Sequence, residues 1–282
     1  MARTGTTQAL RVDGEQIEYE DAGTGEPILL VHAGAFSDWF APVAATAELN
    51  GFRVIRLRRA GYVNGSVPSR HLSIADHARH CGLLLDALGL SRAHVCGHSS
   101  GALVGLQLAL DRPALVHSLV LLDPAPGGEL LGPINAPTVG GVLGPVMEAY
   151  AGGDTTVAFD RFMTAVCGSH HRSVMEQVLG IDGYEQAVRE SAFFPDEVAA
   201  VGEWQFGVTE ASRIRVPMLL VDGGTTADVA AVLPESVSRL AAMVPQAEVA
   251  VLAGASHLMP LEDPGGVALL IAHFVRTHAI TA

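Results

Sequence analysis

The sequence predicts an α/β protein: a mostly parallel sheet with helices on both faces and a helical cap inserted into it. Three observations carry that prediction. Short, uniformly apolar runs alternate with stretches whose apolar residues recur every three or four positions, as in a parallel sheet with crossover helices. One of those runs, Ala93 to Cys96, leads straight into Gly97-His98-Ser99-Ser100-Gly101, a G-x-S-x-G turn from strand to helix. From Pro124 to about Ile214 the alternation stops, and only helical segments with Gly/Pro-rich connectors remain.

Each element has its own signal. Gln8 to Glu20 alternates loosely around Asp13-Gly14, a two-residue hairpin turn, and should form an antiparallel edge. Pro27 to Val31 has no polar alternation, so it fits a central strand covered on both sides. Phe52 to Leu57, Ala93 to Cys96, Leu119 to Leu122, Met218 to Val221 and Val249 to Leu252 are the further strand candidates. Helical spacing marks Asp76 to Leu88, with Gly89 as its C-cap, then Ala102 to Asp111, Pro234 to Met243 and Val267 to Phe274. Inside the insertion it recurs around Pro145 to Ala151, Val157 to Val166, Ser173 to Leu179 and Tyr184 to Ala192. The expected division is a core of residues 1–124 and 214–282 and a cap of residues 125–213. Met and Phe in the cap read first as packing residues.

Composition narrows the function. A chain of 282 residues, 49% hydrophobic, can bury one large core, and no apolar run approaches the roughly 20 residues of a membrane span. The start, Met1 to Gly5, lacks the layout of a secretory signal, so a cytoplasmic location is expected. Cys81, Cys96 and Cys167 have no C-x-x-C spacing and read as small buried thiols rather than a disulfide framework or zinc site. The net charge is −13 and no lysine is present, which opposes binding to nucleic acid. It also removes Schiff-base and pyridoxal phosphate chemistry and the P-loop lysine. No cofactor and no metal is expected.

A serine hydroxyl becomes a nucleophile when it is exposed, held in one geometry and set beside a base. The elbow makes Ser99 the candidate, with Gly97 and Gly101 giving room for a tight turn. His257 is the candidate base, because Gly254-Ala255-Ser256-His257 leaves the sheet just past Val249 to Leu252, at the edge that carries the elbow. His98 reads as a packed neighbour. Charge growing on a substrate oxygen needs preorganised N–H groups. The amide of Ser100 is one candidate donor; Gly34, in the loop His32 to Phe36, is the other, with Ala35 second.

From the His32 loop through the Ser99 elbow to His257, the order of motifs resembles the α/β-hydrolase family over essentially the whole chain. The resemblance implies an eight-stranded, mostly parallel sheet, a helical lid and a cofactor-free Ser/His/acid mechanism. Two departures stand out: His32-Ala33 replaces the usual His-Gly, and Arg58-Arg59-Ala60-Gly61 replaces the common Asp-x-x-Gly, which leaves the serine chemistry untouched. Similar enzymes usually carry the acid in G-x-x-D after the strand equivalent to Met218 to Val221, but here the third residue after Gly223 is Thr226. Asp228, two residues further on, is one candidate acid. Asp123, at the end of Leu119 to Leu122, is the other, and certain lipases and lactone hydrolases take their acid from that place. Asp123 is narrowly favoured, and Asp222 reads as a strand residue. The expected function is hydrolysis of a small apolar ester or lactone through an acyl-enzyme on Ser99. Non-hydrolytic chemistry, such as C–C cleavage or cyclisation, is the main alternative; a binding protein that lost turnover is a third, opposed by the intact Ser99 and His257.

Overall fold

The N-terminal hairpin is made by β1 (Gln8–Val12) and β2 (Glu15–Ala22), turning through Asp13 and Gly14, both at positive φ. In the computed structural model, which describes residues 6–63 and 67–280, six further strands complete the sheet. They are β3 (Pro27–Val31), β4 (Arg53–Arg58), β5 (Ala93–His98), β6 (Val116–Leu122), β7 (Met218–Gly223) and β8 (Glu248–Leu252). The order is β1-β2-β4-β3-β5-β6-β7-β8, with β1 and β2 antiparallel to their neighbours and every other pairing parallel. The expectation of an eight-stranded, mostly parallel sheet with an antiparallel edge is met. Residues 1–5, on which the reading of the N-terminus rests, lie outside the described residues.

Central strands without polar alternation are covered on both faces, and the residues divide with period two. Leu29, Val31, Val95, Leu119, Leu121 and Leu220 join one core with helices Ile74–Ala87, Ser100–Asp111 and Val232–Met243. Ile28, Leu30, Cys96, Val120, Leu122 and Val221 join a second core with helix Pro264–Thr277. Local chemistry fixes the helix starts. Ser73 and Asp76 form a capping box at the first helix, and Asp263 accepts from the N–H of Gly266 ahead of the last. One strand differs from the buried kind: β8 lies at the sheet edge, and Val249 and Val251 are exposed there.

Between β6 and β7 only helices occur among the described residues: Gly132–Ala151, Thr155–Cys167, His171–Glu190, which is broken into two at Gly180, Phe194–Glu203 and the short Val208–Ala211, with 3-10 turns. The first begins well before the expected Pro145, carrying Pro137 and Pro145 within it. A third apolar cluster, including Phe159, Met163, Met175 and Phe194, joins these helices to Ala35, Phe36 and Trp39. No described helix is long and apolar enough to cross a membrane.

Candidate active site

The parallel register brings the ends of β5, β6 and β7 together. His98 pairs with Leu122, and Leu122 with Val221, so Ser99 and Asp123 leave adjacent strands at the same level. The N–H of Ser99 donates to the Leu122 carbonyl and that of Asp123 to the Val221 carbonyl, each at 2.9 Å. Both residues then break out of the strand conformation: Ser99 has φ 54° and Asp123 φ 37°, values side chains other than glycine rarely adopt. Ala35, in the loop after β3, is a third at 72°. Only Asp13, in the hairpin, shares this property among the described non-glycine residues. Strain concentrated at the ends of these strands makes this the candidate functional site.

The elbow requires its glycines. A Cβ on Gly101 would fall on the carbonyls of Val31 and His32, and one on Gly97 would strike the backbone of Gly101 and Ala102. Helix Ser100–Asp111 starts directly after Ser99, which is half-buried, while His98 and Ser100 are buried. His98 packs against Trp39 and Phe40, as a packed neighbour should, and its ring centre lies 4.6 Å from that of His257. Burial keeps the His98 imidazole well below its ordinary pKa, and it stays neutral.

His257 is buried and faces Asp123 across 3.2 Å, Nδ1 to Oδ2. With a carboxylate opposite, Nδ1 is the donor of this contact. Asp123 is fully buried and held from three sides. Its Oδ1 accepts from the N–H of Gly223 at 3.1 Å, and its Oδ2 accepts from the Thr226 hydroxyl at 2.9 Å as well as from His257. Asp228 stands apart, exposed on the short helix Ala227–Ala230. Ser99 Oγ makes no hydrogen bond among the described residues.

Opposite Ser99, the loop after β3 is pinned by its side chains. Trp39 Nε1 and the N–H of Phe36 both donate to the Gly34 carbonyl, at 2.8 and 3.0 Å. The N–H of Ala35 donates to the Tyr62 hydroxyl at 3.2 Å, so that amide is occupied. The N–H groups of Gly34 and Ser100 have no acceptor among the described residues. His32 fixes the loop to β4, its Nδ1 donating to the Ala33 carbonyl at 2.6 Å and its Nε2 accepting from the N–H of Arg59 at 3.1 Å.

Sequence reasoning missed three participants. Thr226, which stands where similar enzymes carry the acid, donates its hydroxyl to Asp123. Arg59 and Glu197 form a buried ion pair beside Ser100, with Nη2 2.6 Å from Oε1. Gly223 three residues before a hydroxyl was the only signal for the first, and nothing local linked the other two.

A profile of the alpha/beta hydrolase family matches residues 28–268, and the chain belongs to that family. A Variovorax paradoxus protein provisionally named a carbamate hydrolase, RutD, is 41% identical over 114 residues, 38% of this chain and 42% of that protein. The dihydrolipoyllysine-residue acetyltransferase component of the acetoin cleaving system of Pseudomonas putida is 27% identical over 96% of this chain and 70% of its own length. Among solved structures, the enol-lactonase of Burkholderia xenovorans superposes with a TM-score of 0.78 at 21% identity, over 95% of this chain and all of that one. The carboxylesterase CesB of Bacillus subtilis superposes at 0.72 with 20% identity, over 98% of this chain and 93% of that one. At such identities the superpositions speak for the fold.

Proposed function

We propose that this chain is a serine hydrolase that cleaves a carboxylic ester or lactone through an acyl-enzyme on Ser99. The observation that carries the reading is a serine held in a strained elbow one strand from a buried His257–Asp123 hydrogen bond. Family membership and neighbours named as lactonase, carboxylesterase and carbamate hydrolase support hydrolysis. In this reading His257 Nε2 takes the proton of Ser99 as Oγ attacks the carbonyl carbon. The N–H groups of Gly34 and Ser100 stabilise the oxyanion. Collapse of the intermediate expels the alcohol, which leaves with the proton from His257, and water then repeats the sequence to release the acid. Asp123 holds the imidazole in the required tautomer and stabilises its charged form. Residues 125–213 act as the lid, with Phe159, Met163 and Phe194 packing it onto the loop after β3.

A fluorophosphonate probe tests the nucleophile. Mass spectrometry should find the adduct on Ser99 in the wild type and none in Ser99→Ala, together with loss of p-nitrophenyl butyrate hydrolysis by at least 10³-fold. A folded wild-type protein that takes no label overturns the assignment.

A further inference from the structure

On the β4 side of Ser99, away from Asp123 in strand order, a second pair of charges is buried. Arg59 follows β4 and Glu197 comes from helix Phe194–Glu203; each is 1% exposed. Arg59 Nη2 donates to Glu197 Oε1 at 2.6 Å and to the Ala33 carbonyl at 3.2 Å, and lies 3.4 Å from Ser100 Oγ. The Ser100 hydroxyl donates to the same Glu197 oxygen. The guanidinium carbon also lies 5.2 Å from the centre of the Tyr62 ring. Arg59 is thus held by groups of the sheet and its loops, whereas Glu197 reaches it from the inserted helices. A Cβ on Gly34 would lie 3.2 Å from Glu197 Oε2. The carboxylate therefore sits against the two residues whose amides are proposed to bind the substrate oxygen.

A buried ion pair that serves adhesion alone needs its remaining lone pairs and protons satisfied, because desolvation otherwise outweighs the attraction. This pair leaves them open. Arg59 Nε, Arg59 Nη1 and Glu197 Oε2 are all buried without a hydrogen-bond partner. Burial also pushes the Glu197 carboxyl above the usual range, against the pull of Arg59. A guanidinium with unused donors, met by one oxygen of a carboxylate on a different segment, is arranged for exchange of its partner.

We propose that Arg59 recognises a carboxylate on the substrate and that Glu197 occupies this subsite until such a substrate replaces it. The inference rests on Ser99 as nucleophile and names the substrate class at that site: half-esters of dicarboxylic acids, or lactones bearing a carboxylate. The exchange conserves charge at the guanidinium, since one carboxylate leaves as another enters. A neutral acyl chain offers Arg59 nothing and leaves Glu197 in place.

Binding to the Ser99→Ala protein tests this without turnover. Monomethyl glutarate and its neutral counterpart dimethyl glutarate are titrated by calorimetry into Ser99→Ala, into Ser99→Ala with Glu197→Gln, and into Ser99→Ala with Arg59→Met and Glu197→Met. The third protein removes both charges, so that neither is stranded. Glu197→Gln should tighten monomethyl glutarate at least tenfold relative to dimethyl glutarate, and the doubly neutral protein should lose that preference. Equal binding of the two esters in every protein, or weaker binding of the half-ester after Glu197→Gln, overturns the proposal and makes the pair a structural latch. Half-ester preference in a protein whose wild type fails to label at Ser99 would keep the subsite and remove the nucleophile.

Discussion

Two buried carboxylates flank Ser99, and they are held in opposite ways. Asp123 is anchored at a strand end, and its oxygens take hydrogen bonds from a backbone N–H, a threonine hydroxyl and an imidazole. Glu197 lies on a helix of the insertion, bonds through one oxygen and leaves the other without a partner. The first arrangement suits a group that must stay still: all its donors come from β7, the loop after it and His257. The second suits a group that is displaced, because its partners lie outside the insertion, Arg59 just after β4 and Ser100 at the start of helix Ser100–Asp111, while Glu197 belongs to the insertion. On the proposed reading, preorganised charge on one side serves the chemistry and exchangeable charge on the other serves selection.

The sharpest way to break this contrast is to remove the charge of Asp123. Asp123→Asn keeps the shape but offers His257 a mixed donor and acceptor, so the wrong tautomer is populated. Hydrolysis of p-nitrophenyl butyrate should fall about 10³- to 10⁴-fold, while Asp228→Asn should change it less than about threefold. A large loss in Asp228→Asn with little in Asp123→Asn would reverse the assignment of the acid.

A smaller effect separates the charge from its support. Thr226→Val preserves volume but deletes a hydrogen bond to an ionised group, a contribution of about 1.5–3 kcal/mol. Part of that falls on the positioning of Asp123, so kcat should drop roughly tenfold with KM little changed. Thr226→Ser, which retains the hydroxyl, should recover most of the rate. Equal losses in both variants would point to packing rather than to the hydrogen bond.

The contrast also follows what the sequence could disclose. β3, β5, β6 and β7 were legible because strands buried on both faces drop polar alternation, and the elbow was legible because Gly97 and Gly101 leave no space for a side chain. Ser99, Asp123 and His257 could be nominated from positions just beyond strand ends, since parallel register carries such positions to one edge. Thr226 was hidden, because its bond to Asp123 depends on how the loop after β7 folds back. Glu197 was more deeply hidden: no periodicity ties residue 197 to residue 59, and only the docking of the insertion brings them together. The Gly and Pro residues of helix Gly132–Ala151 signal a break in the sequence, which tertiary packing overrides.

The least secure contact on the otherwise satisfied side is Asp222, and it provides the finest test. It follows Val221 on β7 beside Asp123, and its Oδ1 is buried without a partner. Burial, then the neighbouring Asp123 charge, pushes its carboxyl up to about 6 from an ordinary 3.8. Between those values the folded protein keeps a proton that the unfolded chain has released, so the contribution of Asp222 to stability falls as pH rises from about 4 to about 6. Above that window the like-charge penalty is fully present. Asp222→Asn removes it and offers an amide donor to Asp123. Its melting temperature should exceed that of the wild type at pH 7, by only about 2 °C because Asp222 is partly exposed and water screens it. The advantage should vanish below about pH 4, where the wild-type carboxyl is protonated in both states. A difference independent of pH would mean that Asp222 does not share the electrostatics of Asp123, and the tight side would then owe its rigidity to hydrogen bonding alone.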